Sequence, residues 1–299
     1  CSSDLDGLST VAGLVQSGHF LEAAEALDRV GSAGATRQLV SVCRTELLER
    51  LGAHDESHKS AQKLISGGLL RGPLLARCEF TLGQVLWETA GDTERALEHV
   101  MRASSVAEAA GDVPLLCAIQ LRLMVMLADS AGPNAAAAIL GSIRRNVTRA
   151  GNTSISAAWH IFLGETEAKR GLTANARLHT ERGIRLLSSR PNIWLSSVAE
   201  NTLFAVSVLT DDYEAGLMHG TEALRLARES GAAAMKRAAL SNLGMLAYLA
   251  GRGDEALAEL TGRFDNHSLA QDANWRISAA DCRAAYDGLD GALQIGRAH

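Results

Sequence analysis

Aromatic residues make up only 4% of this 299-residue chain, and proline occurs four times. Few rings are available to fill a core, so alanine and leucine must supply most of the packing, which suits closely spaced helices. There is no excess of positive charge either. Lys and Arg number 29 against 34 Asp and Glu, giving a net charge of −5 and a pI near 6.0. Without a basic stripe to neutralise phosphates, this segment is not expected to contact nucleic acid directly. Short basic pieces such as Arg144-Arg145 and Arg182/Arg185 read as solvated helix faces.

Paired cysteines are missing too. Cys43, Cys78, Cys117 and Cys282 lie far apart, form no CxxC and fall in expected helices. Reduced, buried thiols in a cytoplasmic protein are the expectation. No apolar run is expected to reach the roughly eighteen residues that cross a membrane. The chain has no GxxxxGK[ST] phosphate loop, no GxGxxG after a strand and no GxSxG elbow. His54 and His58 stand four apart, a metal-ligand spacing on a helix, but no third ligand is evident and Glu56 does not complete HExxH. Arg252-Gly253-Asp254 spells an adhesion tripeptide, yet a tight turn with a capping aspartate explains it. Acids, bases and nucleophiles do not gather at one place, so no catalytic residue, metal or cofactor is expected. Trp159 and His160 read as core or groove packing.

What the chain does have is a repeat. Gly18, Gly52, Gly91, Gly132, Gly171, Asp211 and Gly251 recur at spacings of 34, 39, 41, 39, 40 and 40 residues. Five residues past each stands Ala23, Ser57, Ala96, Ala137, Ala176, Gly216 or Ala256, every one of them small. A small residue one turn into the second helix of a pair lets it pack closely on the first. Leu82-Gly83, Leu163-Gly164 and Leu243-Gly244 supply small residues on the first helix. With Trp87, Tyr248 and the aromatics Phe20 and Tyr213 two residues past the turn, the pattern resembles the tetratricopeptide (TPR) repeat. The resemblance implies an all-α fold, a right-handed α-solenoid of antiparallel helix pairs. Units of about 40 residues resemble those of bacterial multidomain transcriptional and signalling regulators.

The two ends are read differently. Cys1-Ser-Ser-Asp-Leu5 can be encoded by TGC-TCT-TCC-GAT-CT and Ile295-Gly-Arg-Ala-His299 by ATC-GGA-AGA-GCA-CAC, reverse complements that resemble a common sequencing adapter. Residues 1–5 and 294–299 are therefore expected to be artefact, and 6–293 a single solenoid cut from a longer frame. It should hold about seven pairs: 8–16 with 20–30, 36–51 with 54–65, 74–89 with 93–110, 114–130 with 134–149, 154–170 with 173–187, 193–209 with 212–229, and one around Ala238–Leu257. A helix over 269–289 would begin an eighth.

In TPR proteins the first helix of each pair lines a concave surface that commonly receives a peptide. Projected onto this sequence, that geometry selects Arg122, Glu165, Lys169, Asn201, Asn242, Met245 and Tyr248. Asn242 matches a position where the family often holds a ligand backbone, and an amide offers both donor and acceptor. The resemblance thus implies a non-enzymatic module that binds a protein or peptide segment or a neighbouring domain of its own chain. The alternatives are a stand-alone adaptor or the regulatory part of an enzyme such as a nucleotide-binding switch or a cyclase.

Overall fold

The computed structural model describes residues 2–31, 36–89 and 92–249. Within them lie thirteen α-helices and no strand. They are α1 (Ser2–Ser17), α2 (Phe20–Asp28), α3 (Arg37–Arg50), α4 (His54–Ser66), α5 (Gly72–Thr89), α6 (Thr93–Ala109) and α7 (Val113–Ser130). Then follow α8 (Pro133–Ala150), α9 (Thr153–Lys169), α10 (Thr173–Leu187), α11 (Ile193–Leu209), α12 (Tyr213–Ser230) and α13 (Ala233–Leu249). Consecutive helices pack as antiparallel pairs, and the pairs stack into an α-solenoid. α1 starts six residues before the expected Leu8. The expected final turn, Ala256, the adhesion tripeptide, Cys282 and the helix over 269–289 lie outside the described residues.

The turn landmarks have a common backbone cause. Gly18, Gly52, Gly132 and Gly171 have φ of 83°, 85°, 85° and 73°. Asp211, at 56°, is the non-glycine residue with positive φ among those described. Each turns the chain at a positive φ, where a side chain is penalised and Asp is among the tolerated exceptions. Side-chain caps then start many helices: Asp92 accepts from Arg95 N, Asp112 from Leu115 N, Asn152 from Ser154 N and Ile155 N, Asn192 from Leu195 N, and Asp212 from Ala215 N.

The small residues do bring paired helices together. Ala23, Ser57, Ala96 and Ala176 have no exposed surface, and Gly216 is buried. A Cβ on Gly83 would sit 2.9 Å from the Ala96 carbonyl oxygen, and one on Gly164 would sit 3.0 Å from that of Ala176. The fourth pair corrects the register. Its buried small residue is Ala136, not Ala137, which is half-buried. Elsewhere one residue separates the turn landmark from the helix, but here Gly132 is itself the N-cap and Pro133 opens α8 directly. The helix starts one residue early, so the buried face moves by one.

Two further expectations need correction. α7 is 18 residues long and apolar enough by composition to cross a membrane. Its apolarity has another cause, because half of it is buried within the solenoid, including Leu121, Met124, Val125 and Met126. Cys43 is only half-buried, while Cys78 and Cys117 are fully buried; all three are free thiols. Burial pushes all three thiols up, Cys78 to about 12, which keeps them protonated and unreactive near neutrality.

Candidate ligand site on the concave face

From α3 onward each first helix packs on the next first helix, α3 on α5, α5 on α7, α7 on α9, α9 on α11 and α11 on α13. Second helices make no comparable contact with one another and rest on the first helices instead. The array therefore curves with its first helices inside. Their polar residues share one inner surface.

Six of the seven residues selected from the sequence have described side chains, and all sit on first helices. The Asn242 amide donates to Asn201 Oδ1 at 2.7 Å, joining two of them across α13 and α11. Lys169 pairs with Glu165 at 3.0 Å and with Asp129 at 2.6 Å. Burial works against the Lys169 charge, but Glu165 and Asp129 outweigh it and hold its pKa above the usual lysine value. Arg122 donates to Gln84 at 2.7 Å and to Glu88 at 3.1 Å. Met245 is half-buried on α13, and the Tyr248 side chain lies outside the described set.

A cavity on the inner face lies outside this selection. A cavity of about 380 Å³ opens between α1, α3, α5 and the start of α7. Leu8, Val11, Phe20 and Phe80 contribute apolar wall; Glu46, Glu49, Arg50 and Arg77 contribute charge. Arg77 forms a two-pronged pair with Glu46, one arm at 2.7 Å, and also donates to Cys43 Sγ at 3.3 Å. Burial opposes the Arg77 charge, yet the bond to Glu46 more than compensates and raises its pKa further. Glu49 is 7% exposed, and its ion contact is Arg50 Nε at 3.3 Å. Burial pushes the Glu49 carboxyl up, and Arg50 pulls it only partly back. The repeat register carried a signal for two of these residues, though not for the cavity. Glu46 and Arg50 precede Gly52 by six and two residues, as Glu165 and Lys169 precede Gly171.

The inner face is also closed by the chain itself. The turns of the first two pairs meet the starts of α11 and α13. Asn192 donates to the Gln16 carbonyl at 2.7 Å, across 176 residues of sequence. Trp194 lies 6.3 Å from Phe20 and 6.1 Å from Phe162 between ring centroids. The Arg50 guanidinium sits 4.7 Å from the Trp194 ring and 5.6 Å from that of Phe20. A Cβ on Gly52 would lie 2.7 Å from Ala233 Cβ. Across the lumen, Arg237 of α13 reaches Glu88 of α5 at 3.1 Å and His54 at 3.5 Å. Burial first, and then Arg237, lower the His54 pKa and favour its neutral form. Among the described residues, no group of three or more His, Cys, Asp or Glu could hold a metal ion.

No family model matches the sequence, and no curated protein matches it. Solved structures do resemble the fold. One is the crystal structure of the APC/C hetero-tetramer Cut9-Hcn1, with TM-score 0.63 and 14% identity, covering 94% of this chain and 49% of that one. Another is the crystal structure of a Rap protein complexed with competence and sporulation factor, with TM-score 0.63 and 14% identity, covering 94% of this chain and 74% of that one. This chain thus spans about half the length of the Cut9-Hcn1 chain it matches. At this identity the likeness concerns fold: the chain is a TPR-like helical solenoid.

Proposed function

We propose that this array is a protein-interaction module that holds an extended segment of a partner protein, or of its own chain, along the concave face. The observation that carries the reading is the Asn201–Asn242 pair. Once Asn242 donates to Asn201, the Asn201 amide nitrogen and the Asn242 carbonyl oxygen remain to donate to and accept from a ligand backbone. The charged side chains of Arg122, Glu165 and Lys169 continue this polar row along the neighbouring first helices. Both similar structures are of assemblies, one a Rap protein complexed with competence and sporulation factor and one the Cut9-Hcn1 hetero-tetramer. The finer reading is the regulatory or sensory array of a larger bacterial transcription or signalling regulator, working in the cytoplasm without catalysis of its own.

The test is selection of a random-peptide display library on the full chain, with each enriched peptide rebound to Asn242→Ala. Peptides that bind the native protein and lose about tenfold or more with Asn242→Ala support the reading, a loss in line with removing one buried amide contact. Enriched peptides that bind both proteins equally would remove Asn242 from the site. A library that yields no binder would count against the concave face as a peptide site.

A further inference from the structure

The charged groups of the inner face are satisfied to very different degrees. Glu46 is held by both arms of Arg77. Glu88 is shared by Arg122 and Arg237, each at 3.1 Å. Arg122 has Gln84 besides. Glu49 stands apart: it is almost fully buried, lines the cavity and has only the Arg50 contact at 3.3 Å. Arg50, meanwhile, has two aromatic faces to rest on. A carboxylate removed from water and left with one long ion contact is costly unless a further cation or donor reaches it. Leu8, Val11, Val15 and Phe80 form an apolar side of the cavity that favours an apolar body, while its other ion pair, Arg77 with Glu46, is already closed on itself. Its volume of about 380 Å³ is at the small end of ligand pockets, enough for one anchoring group and not for a whole peptide.

From the buried Glu49 carboxylate beside these apolar walls, we propose that the cavity is an anchor subsite for a primary ammonium on an apolar body, as at the N-terminus of a peptide whose first residue is large and hydrophobic. This rests on the reading of the concave face as a peptide site. The ammonium donates to Glu49, the first side chain fills the space between α1, α3 and α5, and the rest of the peptide runs toward Arg122 and the asparagine pair. An N-terminal amine suits the cavity better than a lysine side chain, because its charge sits directly beside the bulk that the apolar walls receive. Arg50 is the competitor. An ammonium on Glu49 displaces it, and the same side chain lies over Trp194 at the closure.

Isothermal titration of the full chain tests this with three probes. L-phenylalaninamide has the amine and the apolar body, N-acetyl-L-phenylalaninamide has the body without charge, and N-acetyl-L-lysinamide has a side-chain ammonium. Phenylalaninamide should bind about tenfold or more tightly than its acetylated form, and Glu49→Gln should abolish that difference, as expected on removing a desolvated charge partner. Equal binding of the first two probes would overturn the cationic subsite. Tighter binding of the lysine probe would overturn the N-terminal source, and binding of none would overturn the cavity as a subsite. If Glu49→Gln failed to fold, Arg50→Met would decide. Loss of the competing cation should tighten phenylalaninamide several-fold, and weaker binding would contradict the proposal. These outcomes are separable from the library selection, because the small probes do not reach Asn201 or Asn242.

Discussion

At the scale of single residues, the fold depends on where bulk is left out. In the third and fifth pairs the gap is on the first helix, at Gly83 and Gly164, against Ala96 and Ala176. In the sixth pair Phe204 occupies the corresponding position, and the second helix compensates with Gly216 and Gly220. A Cβ on Gly220 would lie 3.0 Å from Phe204 and 2.8 Å from Leu243. Gly220→Ala and Ala176→Leu should each lower stability by about 1–3 kcal/mol through overpacking. Urea unfolding followed by circular dichroism would show this; unchanged midpoints would mean the register assigned to those pairs is wrong. Asp211 offers the opposite test. At φ 56° it carries a side chain where the other described turn landmarks have glycine, so Asp211→Gly should raise stability by about 1 kcal/mol. A fall in the thermal midpoint would show that the Asp211 side chain contributes more than its backbone strain costs.

At the scale of helices, three pairs are linked through a histidine on the second helix. Glu79 meets His99 at 2.6 Å, Glu200 meets His219 at 2.7 Å, and in the fifth pair His160 meets His179 at 3.1 Å. There the carboxylate is replaced by a second imidazole, and the two rings stack with centroids 5.3 Å apart. Such a contact tolerates no second proton. Burial first, and then Arg182 and His179, lower the His160 pKa to about 4, well below its ordinary 6.5. The neutral form is therefore favoured by folding. The stabilisation is fully present above about pH 6.5 and is lost as pH falls toward 4, because the unfolded chain binds the proton first. His160→Gln should flatten the pH dependence of the thermal midpoint between those values, and an unaltered slope would exclude His160 as its source.

Helix boundaries were readable to within about two residues in most pairs, because glycine turns, Asp and Asn caps and prolines mark them locally. The fourth pair misled by one position because Gly132-Pro133 compresses the turn, a matter of backbone geometry rather than composition. That Arg122, Glu165, Lys169, Asn201, Asn242 and Met245 fall on first helices was readable from the repeat register. The cavity was not, since it depends on Phe20, Glu49 and Phe80 converging from three separate pairs.

At the scale of the whole molecule, the contact between distant pairs is the feature that no local pattern announces. Asn192 illustrates it: the same side chain caps α11 through Leu195 N and reaches the Gln16 carbonyl. The sequence shows a capping residue before a helix, while the second bond exists only because the superhelix comes round to meet its own beginning. The tryptophan two residues on, readable only as lying near a helix start, becomes the centre of the closure with Phe20, Phe162 and Arg50. A ligand held as proposed on the concave face shares that space with an internal contact, so the closed form of the array is decisive for it.

Spin labels on the exposed positions Asp55 and Glu229, which flank the contact between the first pairs and the start of α13, test it most directly by pulsed dipolar spectroscopy. A single short, narrow distance distribution that broadens and lengthens with Trp194→Ala is the predicted result. A long, broad distribution in the native sequence, unaffected by that change, would mean an open spiral and would contradict the closure.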